Sequence, residues 1–84
     1  MQNIRQIAGK PAKAFEYFVV MIDYGRRGRE AIVDPEMTRR GVVDCIRSGE
    51  YREIAFIHRI TMNEVPEDVT AELLAEAEQE MELA

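Results

Sequence analysis

Arginine is the side chain best shaped to grip a carboxylate or a phosphate, because its planar fork offers parallel N–H donors. The stretch DYGRRGRE (Asp23 to Glu30) places three arginines, Arg26, Arg27 and Arg29, around Gly25 and Gly28. Such a cluster has three readings: a turn with solvated charges, a finger for nucleic-acid phosphates, or a dock for an acidic protein surface. A nucleic-acid platform also needs aromatic rings on which bases stack. Only Tyr17 and Tyr24 flank this cluster, and no RNP-type pattern occurs. GRRG also lacks the spacing and the following helix of a phosphate-cradling glycine loop.

The other chemical concentration is acidic. Residues 63–84 carry eight acids and no base, whereas residues 1–62 carry eleven bases and eight acids. Glu72, Glu76, Glu78, Glu80 and Glu82 fall on helical spacing, where like charges at i,i+4 repel by about 0.2–0.5 kcal/mol per pair. The last of them also lie at the unfavourable end of a helix dipole. A plain solvated acidic face explains the run. So does a surface for a basic partner, or a carboxylate array that imitates phosphates, as in some phage-encoded inhibitors of nucleic-acid-binding enzymes.

Cys45 and His58 are the single cysteine and the single histidine. One of each, without ligand spacing, makes no zinc site. Neither lies in a recognisable nucleophile signature. Cys45 reads as a small core residue on a helix and His58 as a strand histidine between Phe56 and Ile60. No catalytic residue, metal or cofactor is expected.

The elements that must position these groups follow from periodicity. Eighty-four residues make one domain that buries only about 60% of its unfolded surface. Residues 15–23 (FEYFVVMID) read as a strand, apolar on both faces and therefore central. Gly25 and Gly28 supply positive φ for a hairpin into a second strand, residues 29–33. Asp34-Pro35-Glu36 reads as a helix start, with Val42, Cys45 and Ile46 on the buried face and Gly49 as the C-terminal stop. Gly41 in this helix suggests close approach to the sheet. Residues 53–62 form a third strand, with Ile54, Phe56, His58, Ile60 and Met62 on one face and Ala55, Ile57, Arg59 and Thr61 on the other. Pro66 opens a second helix to Glu82, with Val69, Thr70, Leu73, Leu74, Ala77 and Met81 as its apolar stripe. Residues 1–14 are a basic arm, and residues 15–84 the domain.

The expected fold is therefore α+β: β-β-α-β-α, a three-stranded antiparallel sheet of order 2-1-3 packed by two helices. The first helix crosses between parallel outer strands. Helices on opposite faces are favoured, or else a homodimer that hides one face. This topology gathers Arg26, Arg27, Arg29, Arg47 and Arg52 at one pole. Arg39 and Arg40 fall toward the other. The glutamate-rich end of the second helix arrives near the arginine pole.

The leading expectation is a small non-enzymatic interaction protein, a regulator, adaptor or inhibitor working through charged surfaces on another protein, one with a basic surface for the acidic helix. The alternatives are a nucleic-acid-binding module using the arginine pole and an acidic nucleic-acid mimic. No secretory signal or apolar run long enough for a membrane span is visible, so a cytoplasmic location without membrane contact is expected.

Overall fold

The computed structural model describes residues 16–62 and 64–83, the last three as helix backbone only. The expected basic arm at 1–14 lies outside the described residues. Strand β1 (Glu16–Asp23) leads through a 3₁₀ turn (Gly25–Arg27) into β2 (Arg29–Val33). Helix α1 (Arg39–Ser48), β3 (Ile54–Thr61), β4 (Glu67–Asp68) and α2 (Thr70–Leu83) follow. The sheet order is β2-β1-β3-β4 and every pair is antiparallel. The expected α+β architecture and its 2-1-3 core are present, extended by a short fourth strand.

That strand corrects the start of α2. Pro66 does not open the helix. Glu67 and Asp68 instead pair with Arg59 and His58, and the Val69 N–H continues the ladder to the Ile57 carbonyl at 2.9 Å. Asp68 then accepts the Thr70 N–H at 3.0 Å, and the helix begins there. A similar correction applies to α1. Asp34 accepts the Glu36 N–H at 3.0 Å and closes a turn, while Thr38 is the residue that caps α1, accepting the Gly41 N–H at 3.0 Å. Gly41 is thus in the first turn. A Cβ there would collide with the Met37 thioether, not with the sheet. Gly49 ends α1 in the left-handed region, φ 87°, as its sequence position suggests.

Both helices cover the same face of the sheet. Phe18, Val20, Ile22 and Ile57 meet Val42 and Val43 of α1 and Val69, Leu73 and Ala77 of α2 in one buried cluster. Val43 is fully buried because α1 faces both the sheet and α2, which widens its apolar arc beyond a single stripe. The opposite-face arrangement is therefore not adopted. A bulge also breaks the alternation of β3. Met21 pairs with Phe56, but Ile22 pairs with Ile54, skipping Ala55. Ile54 consequently joins the helix-side core rather than the Phe56 face.

Tyr17, Val19, Met21, Ala31, Val33, Phe56, His58 and Ile60 point the other way. Among the described residues neither helix packs on this face. Most are half-buried by their sheet neighbours, while Val33 is 49% exposed.

Candidate interaction site

The two glycines of DYGRRGRE act as expected. Gly25 has φ 71° and Gly28 φ 101°, and a Cβ on either would meet nothing within 4 Å, so backbone conformation alone selects glycine. The turn is closed by Tyr24 N–H to Gly28 C=O at 2.8 Å and Gly28 N–H to Gly25 C=O at 3.0 Å. Asp23 braces it by accepting the Gly25 N–H at 2.8 Å.

The five expected pole arginines divide. Arg29 reaches Asp23 at 3.4 Å. Arg27 lies over the Tyr24 ring at 6.0 Å, and the Tyr24 hydroxyl donates to Glu30 at 2.8 Å, which raises the phenol pKa. Arg52 folds back to donate to the Gly49 carbonyl at 2.9 Å. Among the described residues Arg26, Arg27 and Arg52 have no carboxylate within ion-pair distance. Arg47 leaves the pole for the acids of the helical layer.

Arg27 and Arg52 frame a cleft of about 400 Å³ floored by Ile22 and Ile32 and walled by Tyr24, Gly49, Glu50 and Glu53. Glu53 holds φ 55°, a left-handed conformation that costs a non-glycine residue energy. Its carbonyl receives the Asp23 N–H at 3.0 Å, which ties the β3 entry to the hairpin. The pole carries the carboxylates Asp23, Glu30, Glu50 and Glu53 beside Arg26, Arg27, Arg29 and Arg52. It is a patterned surface of mixed charge, not a basic one.

No family model, curated protein or solved structure matches this chain. Its chemistry must be read from its own residues.

The acidic helix meets arginines, though mostly others than those of the pole. Helices α1 and α2 lie side by side and run the same way. Arg39 bridges Glu72 at 2.9 Å and Glu76 at 2.7 Å. Arg40 takes both oxygens of Glu80, with Nη1 at 2.6 Å from Oε2, and Asp44 at 3.0 Å. Arg47 adds Asp44 at 3.1 Å and Glu80 at 3.5 Å. The hydrogen bond from Arg40 holds the Glu80 carboxyl below the usual carboxylate range, and Arg47, then Arg40, do so for Asp44. The like-charge repulsion expected along α2 is thus offset across the helix pair. The sequence placed Arg39 and Arg40 away from the hairpin pole but did not foresee that glutamates of α2 would bond them, because cross-helix pairing depends on how the two helices pack. Glu78 is exposed, and the Glu82 side chain lies outside the described residues.

Cys45 and His58 are on different layers. Cys45 flanks the core on α1, with its thiol pKa raised first by burial and next by Glu50, 3.7 Å from Sγ. His58 is on the sheet face away from the helices, stacked on Phe56 with ring centroids 4.2 Å apart, and opposite Asp68. The geometry offers no cysteine–histidine pair. Among the described residues no group of three or more metal-ligating side chains is positioned to hold an ion, and no helix is long and apolar enough to cross a membrane.

Proposed function

We propose that this chain is a small non-enzymatic interaction module, a regulator, adaptor or inhibitor, that docks a partner protein through its arginine hairpin and the adjoining cleft. One observation carries the reading. Glu72, Glu76 and Glu80 are bonded to arginines of their own chain, whereas Arg26, Arg27 and Arg52 lack a carboxylate partner among the described residues. Guanidiniums left open are the groups that gain most from an incoming carboxylate. The cleft between Arg27 and Arg52 has room for an acidic side chain, with Ile22 and Ile32 in its lining.

Mixed charge favours a patterned protein surface over nucleic acid. A polyanion is attracted by net positive charge, and Glu50 and Glu53 oppose that attraction. The nucleic-acid reading keeps one supporting feature, the Tyr24 ring beside Arg27. The mimic reading is weakened, because a helix whose carboxylates are already neutralised offers a poor imitation of phosphate.

The test is a photoreactive residue placed at Arg26 or at Glu78 of the full chain in its native cells. A partner adduct is expected from position 26, and it is lost when Arg27→Glu and Arg52→Glu are added. An adduct formed only from position 78, or indifferent to those changes, would overturn the reading.

A further inference from the structure

We propose that the outer edge of β2 takes up an extended segment of a partner protein as an added strand, with one carboxylate side chain of that segment seated at the cleft between Arg27 and Arg52. The inference rests on the hairpin docking reading and deepens it by naming the form of the partner.

The two edges of the sheet differ. Beyond β3 the edge is closed: the Ile57 carbonyl accepts the Val69 N–H at 2.9 Å, and the Ile57 N–H donates to the Thr70 hydroxyl at 2.7 Å. Beyond β2, among the described residues, no strand follows. Backbone groups alternate in direction along a strand, and three bonds fix the phase of β1. The Asp23 N–H donates to the Glu53 carbonyl at 3.0 Å, on the β3 side, and the Tyr24 N–H donates to the Gly28 carbonyl at 2.8 Å, on the β2 side. Ile57, opposite Val20, turns its groups away from β1, which gives the same phase beyond the bulge. Even-numbered β1 residues therefore bond toward β2, so Ile22 with Glu30 and Val20 with Ile32 are the hydrogen-bonded pairs. The N–H and C=O groups of Arg29, Ala31 and Val33 point outward. Edge strands are usually blunted by proline, lysine or a bulge; β2 (REAIV) contains neither residue, keeps an unbroken register with β1, and is exposed at all its residues but Ile32.

Side-chain alternation and charge select the occupant. Ile32 lies on the helix side of the sheet with Val20 and Ile22, and Ile22 and Ile32 line the cleft. A strand added outside β2 sends every second side chain to that same side, about 4.8 Å beyond Ile32. In strand addition the main chain supplies affinity and pockets for alternate side chains supply specificity. Here the pocket is the cleft, and among the described residues its Arg27 and Arg52 have no carboxylate within ion-pair distance. An aspartate or glutamate is the side chain they favour. Glu50 and Glu53 on the same wall favour a single carboxylate over a run of them. Residues 1–14 of this chain contain no acid and cannot supply it. A second copy pairing through its own β2 would bring only Glu30, which already accepts the Tyr24 hydroxyl at 2.8 Å.

The probe is a capped nine-residue peptide of threonine and valine with one central glutamate, added to the full chain at up to about 5 mM and followed by NMR. The amide protons of Arg29, Ala31 and Val33 are expected to shift, and their exchange with solvent to slow at least about five-fold, while Glu30 and Ile32, already in the ladder, keep their rates. A central glutamine in place of the glutamate should weaken binding at least about five-fold. Two further peptides, methylated on alternate backbone nitrogens, leave the protein itself unaltered. One should bind like the parent and the other at least about ten-fold more weakly, because only one set of N–H groups faces β2. Shifts of the Arg27 and Arg52 Nε–H groups without shifts of the three amides, or equal binding of the two methylated peptides, would overturn strand addition and leave hairpin docking standing. Equal binding of the glutamine peptide, or no shift at all, would also overturn the proposal, and the crosslink from position 26 then decides docking separately. Amides of Arg29, Ala31 and Val33 that are already protected without peptide would overturn it in favour of residues 1–14, or of a second copy where the protection grows with protein concentration.

Discussion

Thr38 and Asp34 compete for one role, and their hydrogen bonds separate them. The Thr38 hydroxyl receives a first-turn N–H of α1, while the Asp34 carboxylate receives the Glu36 N–H in the preceding turn. Thr38→Ala should therefore cost about 1 kcal/mol of unfolding free energy. Asp34→Ala should cost a few tenths, as expected for an exposed turn. Urea titration of the two variants checks this, and the reverse order would return the helix start to Asp34. The residue scale also explains the misreading. Asp-Pro-Glu is as good a turn as it is a helix start, because an Asp oxygen bonds the N–H two residues on in either setting. Only the packing of Val42 and Val43 decides which register of the helix is used.

At the scale of elements, the α1–α2 seam is held by apolar contacts and laced by Arg39, Arg40 and Arg47. Individual exposed bridges contribute little, but they set a pH signature. The folded pKa values of Glu80 and Asp44 are depressed. Their stabilising contribution is therefore complete above the ordinary carboxylate range and is lost as pH falls through about 4.5 and below. Arg40→Gln removes the first cause of the Glu80 shift and one of two for Asp44. The urea midpoint of this variant should fall less between neutral pH and pH 3 than that of the parent. An identical decline in both proteins would show that the seam's bridges are not formed in solution. The hairpin and Gly49 were legible in the sequence because each is a local signal, and the 2-1-3 order because the most apolar strand takes the centre of the sheet. The β4 strand was not. Its two residues are acidic and poor strand formers, and they pair where Val69 and Thr70 bond the Ile57 backbone and Arg59 meets Glu67.

For the whole molecule, the main asymmetry lies between layers. Arginines of the helical layer are engaged by glutamates of the same chain, while among the described residues both helices lie on one sheet face and Arg26, Arg27 and Arg52 at the hairpin pole have no carboxylate partner. The sequence reading could not distinguish one covered face from two, because β1 is apolar on both. It also gathered five arginines by topology alone and brought the glutamate-rich end of α2 toward them, and of these five Arg47 is the one that meets Glu80. The central claim is that the hairpin arginines, and not those of α1, are available to an acidic partner. Resonances of arginine Nε–H groups, followed by NMR while an acidic glutamate-rich peptide is added at low salt, report it most directly. The account predicts shifts for Arg26, Arg27 and Arg52 with Arg39 and Arg40 unmoved. Shifts confined to Arg39 and Arg40 would contradict it.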